Sequence, residues 1–245
     1  MALFAVVPSV IIVGYSFLRR DFYGQAILEF SLEGWSQSVD SIGRTVLLRT
    51  TMLAFGVTFA CLVVAYPAAL VIAKLPQAGR HYLLALIGFP MAMSALLRTY
   101  GWMNLLPSDW RGNLWSVAFV MMANYVPFML LPLLRSIERI DLALPHAAMD
   151  LGATPWQSFW TITFPLSRSG MYSGSALVFI PACGEYLIPH FVGDGKTSLI
   201  GTQIIHEFME RRNWPFAASM ASCLLLLIAL PLAFSLTTRR AAVAE

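Results

Sequence analysis

Residues 140–167 read IDLALPHAAMDLGATPWQSFWTITFPLS, and the punctuation of this stretch decides the fold. Asp141 suits the N-cap of a short helix reaching Leu151, with Pro145 shortening or shifting its start. Gly152 falls where a helix ends on a left-handed residue, a conformation that glycine adopts without steric cost. The chain then restarts. Thr154 suits an N-cap, Pro155 suits the first helical position, and Gln157 completes a capping box. Pro165 is expected to mark the next break. The local physics predicts a helix, a glycine hinge and a second helix, all outside a bilayer. Ala147 and Ala148 add a small-residue surface that another backbone can approach closely. An ordinary interfacial helix pair joining two membrane spans fits these local signals equally well.

The surroundings of the stretch are apolar. Of the 245 residues, 58% are hydrophobic and only 12% charged, about half the charge of an ordinary soluble domain. Such a chain has too little polar surface to cover itself in water, so lipid is its expected solvent. Residues 50–73, 112–134 and 213–238 contain no Asp, Glu, Lys or Arg, and each run exceeds the ~20 residues needed to cross hydrocarbon as a helix. Residues 1–18 and 81–97 are shorter and also uncharged, and residues 169–193 are interrupted only by Glu185. The expected fold is all-α, a polytopic membrane protein with six transmembrane helices in a single domain over residues 1–245 and a loop at about 136–168. The runs are continuous, whereas barrel strands alternate over about ten residues.

Cys61, Cys183 and Cys223 lie in separate apolar runs without CxxC spacing, which argues against a disulfide framework or a zinc site. Residues 1–18 lack the basic lead and small-residue cleavage site of a signal peptide. They are read as the first span, with any cytoplasmic lead-in lying outside this chain. Lys and Arg divide almost equally between the two sides, so the positive-inside rule does not orient the protein.

The stretch resembles the EAA loop of ABC importer permeases. That family carries Glu-Ala-Ala, three residues, Gly, nine residues, Ile, any residue and Leu-Pro. Here Ala147, Ala148, Gly152, Ile162 and Pro165 match at the same spacing, His146 stands in place of Glu, and Phe164 in place of Leu. The histidine replaces a fixed anion with a residue type that titrates near neutrality. Phe30-Ser31-Leu32-Glu33-Gly34-Trp35, Leu97-Arg98-Thr99-Tyr100-Gly101-Trp102, Tyr125-Val126-Pro127-Phe128, Val178-Phe179-Ile180-Pro181, Gly184-Glu185-Tyr186 and Arg212-Asn213-Trp214-Pro215 look like the spermidine/putrescine branch. The link at 104–113 is shorter than that branch leads one to expect.

The resemblance implies an inner-membrane permease for polyamines with both termini cytoplasmic. His146, Ala147, Ala148, Asp150, Gly152, Ile162 and Pro165 would then serve a coupling helix that docks on an ATPase. It also implies two ATP-binding subunits, a homologous second permease (a heterodimer), a periplasmic substrate-binding protein, and ATP with Mg held by the partner ATPases. Related importers of an aminophosphonate, an opine or ferric iron are the alternatives. No nucleic-acid partner is expected.

Chemistry of the chain's own is not expected. Gly193-Asp194-Gly195-Lys196-Thr197 lacks the earlier glycine of a phosphate-binding loop, because His190 occupies that position. His81, His146, His190 and His206 show neither metal-ligand nor triad spacing. For a substrate path the candidates are Glu185, a carboxylate inside an apolar run, and the aromatic residues Tyr100, Trp102, Tyr125 and Tyr186. The alternative for Glu185 is to hold a backbone group or an internal cation, and Trp102 suits an interfacial belt. Arg98 is expected to be structural. An ion-driven secondary transporter would require an internal repeat and paired broken helices, neither of which the sequence displays.

Overall fold

The uncharged runs form helices in the computed structural model, which describes residues 2–21, 26–141 and 143–241. Residues 22–25, Leu142 in the first helix expected within the 140–167 stretch, and the expected cytoplasmic chain ends at 1 and 242–245 lie outside the described residues.

In chain order, α1 is Ala2–Tyr15, followed by the strands β1 (Leu18–Arg20) and β2 (Ala26–Phe30). Next come α2 (Glu33–Val39), α3 (Ser41–Ala73), α4 (Gln77–Gly88), α5 (Ala95–Leu105) and α6 (Leu114–Glu138). The chain continues through α7 (Ala143–Asp150), α8 (Pro155–Ser158), α9 (Phe164–Cys183), α10 (Leu187–Val192), α11 (Ile200–Ile205) and α12 (Trp214–Ala241). The architecture is all-α apart from the antiparallel β1–β2 hairpin, in which Arg19 meets Glu29 at 3.3 Å. The lengths of the apolar runs predict no strand between the first two spans, and Ile27, Leu28 and Phe30 are the sequence signal for this one.

Among the described residues two helices, Gly43–Ala73 and Leu114–Glu138, are by themselves long and apolar enough to cross a membrane. The run at 81–97, expected as one span, is broken: Gln77–Ala92 and Ala95–Leu105 meet at 96°. Pro90 lies in a 3-10 turn at Phe89–Ala92 and has no N–H to continue the helix. The Pro90 carbonyl accepts the Met93 N–H at 3.2 Å and, at 3.0 Å, the guanidinium of Arg98 from the next helix, which ties the two arms of the bend together. The run at 169–193 is broken too, since α9 ends at Cys183 and α10 begins at Leu187. The first break lies where the apolar run gave no sign of it, whereas the second falls at Glu185, the one charge in its run.

The described residues form two compact units. The first comprises Met1–Met52, Cys183–His190 and Gly195–Glu245. Val46, Ile200 and Met220 are its buried centre, flanked by Leu47, Ile204, Phe216 and Leu224. Polar ties reinforce that packing: Ile200 N–H donates to the Thr50 hydroxyl at 2.9 Å, and the Ser38 and Ser219 hydroxyls meet at 2.7 Å.

The second unit comprises Leu53–Ala182 and Phe191–Asp194. On α6 the buried residues Val117, Val120, Met121, Asn124, Leu130, Leu133, Leu134 and Ile137 recur at helical spacing, forming one packed stripe. Helix α9 approaches this stripe through Gly170 and Gly174, four residues apart. A Cβ at Gly170 would come 2.8 Å from the Pro132 carbonyl oxygen, and one at Gly174 would come 2.7 Å from Met129 Sδ. Lipid supplies little drive for apolar helices to associate, so close backbone approach through small residues supplies it instead. The Gly-x-x-x-Gly spacing at 170–174 is legible in the sequence, although the sequence reading made no use of it. At one end of the unit, the Arg80 guanidinium pairs with Glu138 at 2.9 Å and joins α4 to α6.

Candidate functional site

The loop between α6 and α9 is built by its caps. The Asp141 carboxylate accepts the Ala143 N–H at 2.9 Å, so α7 starts there with Pro145 inside its first turn. Its other end is a Schellman closure. Gly152 N–H donates to Met149 O at 2.9 Å and Ala153 N–H donates to Ala148 O at 3.0 Å. Gly152 sits at φ +94°, the left-handed region where a side chain would be strained. One residue later the capping box forms: Gln157 N–H donates to the Thr154 hydroxyl at 3.3 Å, and Thr154 N–H donates to Gln157 Oε1 at 2.8 Å. The Ser158 hydroxyl then donates to the Pro145 carbonyl at 3.1 Å, which ties the second helix back onto the first.

Beyond Ser158 the expected break at Pro165 does not occur. The chain stays helical from Pro155 to Cys183 through a π turn at Phe159–Thr163. Phe164 N–H reaches back to Phe159 O, five residues away. The widened turn shifts the carbonyl register just ahead of Pro165, so the missing N–H and the ring are accommodated without a stop. Trp156, Phe159, Trp160 and Phe164 pack ring against ring over this turn, with successive centroids 5.9, 5.3 and 4.8 Å apart.

The coupling residues read from the sequence all lie in this one module. His146, Ala147 and Asp150 are exposed on α7, while Ala148 is half-buried. Gly152 forms the hinge, Ile162 lies half-buried in the π turn, and Pro165 is half-buried in the first turn of α9. No residue of α7 is buried, and Leu151 beside it is 90% exposed. The helix is held by its ends, which leaves its flank uncovered within this chain.

The proposed path residues fall into two groups. In the first unit Glu185 stands in the α9–α10 break, where its Oε1 accepts the N–H groups of Tyr186, Leu187 and Ile188 at 3.1, 3.0 and 3.4 Å. That oxygen caps α10. Tyr186 stacks on His190 with centroids 5.2 Å apart. In the second unit Tyr100 packs on Phe191 at 4.9 Å, Trp102 meets Phe119 edge-on at 5.6 Å, and Tyr125 lies buried beside Phe128. Among the described residues, no group of three or more His, Cys, Asp or Glu side chains is placed to hold a metal ion. The first unit also holds a cluster that the sequence reading passed over, Gln203, Glu207 and Arg211. Its signal was the Glu207–Arg211 spacing of four on one helical turn.

Residues 65–240, which contain the whole capped loop, match the model of the binding-protein-dependent transport system inner membrane component family. The chain belongs to this family. It is 34% identical over 250 residues to the spermidine/putrescine transport system permease protein PotB of Escherichia coli K12, covering 95% of this chain and 91% of that protein. To the protein of the same name from Haemophilus influenzae it is 30% identical, covering 93% and 86%. The inner membrane ABC transporter permease protein YdcU of Escherichia coli K12 is 29% identical, covering 77% and 70%. A solved bacterial ABC transporter involved in import of the acidic polysaccharide alginate superposes with a TM-score of 0.63, covering 98% of this chain and 91% of that chain at 17% identity. That likeness bears on fold alone. As a member of the inner membrane component family, the chain is a permease subunit of an ABC importer, a transport component rather than an enzyme.

Proposed function

We propose that this permease forms half of the membrane path of an ATP-driven polyamine importer, with α7 as the helix that docks on the ATPase. The observation that carries the coupling reading is the capped module itself. A helix with no buried residue is fixed at one end by the Asp141 cap and at the other by Gly152, and Ser158 ties it to the rod that becomes α9. A push on α7 therefore reaches α9 as a rigid-body displacement. The polyamine reading rests on the spermidine/putrescine permeases among the relatives, at 30–34% identity over nearly the whole chain.

Six spans are proposed: α1, α3, the bent α4–α5 pair, α6, α9 and α12. With α7 cytoplasmic, both chain ends face the cytoplasm. Two ATPase subunits carrying ATP and Mg, a homologous second permease and a periplasmic binding protein complete the assembly. Glu185, Tyr100, Trp102, Tyr125 and Tyr186 are proposed for the path, with Glu185 serving the α10 cap through one oxygen.

The test is uptake of labelled putrescine and spermidine in cells lacking their own transporters, with this chain co-expressed with its genomic neighbours. ATP-dependent uptake lost when this chain alone is omitted supports the reading. An assembled complex that hydrolyses ATP without moving either polyamine overturns the substrate and points to an aminophosphonate, an opine or ferric iron.

A further inference from the structure

A cleft in the first unit has a volume of about 330 Å³ and is lined by Tyr186, His190, Gln203, His206, Glu210 and Arg211 among others. Beneath its wall lies Glu207, a carboxylate only 2% exposed. A carboxylate taken out of water at this depth needs a cation or several donors. Here Glu207 Oε1 accepts from Gln203 Nε2 at 3.0 Å and from the Arg211 guanidinium at 2.9 Å.

The two partners are held very differently. Around Arg211 the main chain is pinned: its N–H donates to His206 O, its carbonyl accepts from Arg20 at 3.0 Å, and Arg212 turns the chain with φ +50°. The Arg211 side chain, by contrast, is 62% exposed and reaches the carboxylate from the cleft side on a long flexible stem. One cation of the pair can leave for water without moving backbone, and the anion cannot. Glu210, paired with His206 at 3.1 Å, places a second carboxylate on the same cleft. The stacked Tyr186 and His190 rings supply an aromatic wall of the kind that favours ammonium groups.

We infer that this cleft binds an organic ammonium ligand, and that Arg211 is a tethered cation which the ligand displaces from Glu207. The inference rests on the polyamine reading for the identity of the ligand as a diammonium, with one head at Glu207 and the other toward Glu210. Before binding, the guanidinium neutralises Glu207 and occupies the position of the first head. The apparent affinity is lowered by the fraction of molecules in which Arg211 is in place.

A purely structural ion pair and a tethered competitor predict different signs. The assembled complex in lipid nanodiscs, without its binding protein, is titrated with labelled putrescine, with methylammonium as a single-headed control. Arg211→Gln is expected to tighten putrescine binding by about ten-fold, the competitor's share. Glu207→Gln is expected to weaken it by a similar factor. Should Arg211→Gln fail to assemble, Arg211→Lys keeps a charge for Glu207 and gives the same sign with smaller amplitude. Equal affinities across the set, or weakening in both variants, overturn the inference. Failure of the uptake experiment with polyamines is read separately, because the opposed shifts in binding are measured without transport. If putrescine binds neither the wild type nor Arg211→Gln, the cleft is not an ammonium site.

Discussion

Ser158 and Pro145 are joined across the loop between α6 and α9, the hydroxyl of one donating to the carbonyl of the other at 3.1 Å. This bond spans the glycine hinge and closes α7 and α8 into one body. Ser158→Ala removes it at a cost of about 1 kcal/mol. As a shift between coupled and uncoupled arrangements, that is about five-fold. ATP hydrolysis by the assembled complex should persist while uptake per ATP falls by about that factor. An unchanged ratio would show that the hinge is held elsewhere.

Gly152 sits at φ +94° and donates its N–H to Met149 O. Alanine there pays roughly 1–2 kcal/mol for the left-handed conformation. Proline is worse, because it can neither reach that φ nor donate. Gly152→Pro is expected to abolish uptake while the chain still inserts, as judged by membrane fractionation. Gly152→Ala is expected to retain part of the uptake. Full uptake by the proline variant would remove α7 from the coupling path.

Gly170 and Gly174 let α9 lie against α6. The Gly170 side faces Ser136 and Pro132, so a leucine must push the helices apart. Overpacking of this kind costs about 1–3 kcal/mol, and the membrane offers little compensating drive for association. Gly170→Leu should lower the recovery of intact complex in detergent, whereas Gly170→Ala should cause a smaller loss. Recovery at wild-type levels with leucine would mean that the two helices are free to separate.

Glu185 separates charge from capping. Glutamine at 185 keeps an oxygen for the Tyr186, Leu187 and Ile188 N–H groups but removes the anion. Glu185→Gln is expected to unfold within about 1 kcal/mol of the wild type, as for other neutral caps, and to take up polyamine more slowly. Wild-type uptake by this variant would leave Glu185 with the cap alone.

Much of the loop was legible because caps are local. Asp141, Gly152, Thr154, Pro155 and Gln157 each act within a few residues of themselves, and all of them occupy the capping positions read from the sequence. Pro165 misled because its effect depends on the turn before it. A π turn at 159–163 absorbs it, and aromatic packing among Trp156, Phe159, Trp160 and Phe164 accompanies that turn. The break at Phe89–Ser94 was hidden for a related reason. Hydropathy averages over a window and is blind to a bend of 96° when both arms are apolar.

By itself the sequence determined the apolar solvent, the helical class and the caps of the 140–167 loop, since these follow from the lengths of apolar runs and from contacts a few residues apart. Only the tertiary structure decided which surfaces meet. Tyr66 and Ser167, 101 positions apart, meet at 2.7 Å, and Thr50 receives the Ile200 N–H across 150 positions. It also decided that Glu207 lies buried behind an exposed Arg211. Burial and partner choice are properties of packed neighbours, and no spacing along the chain encodes them.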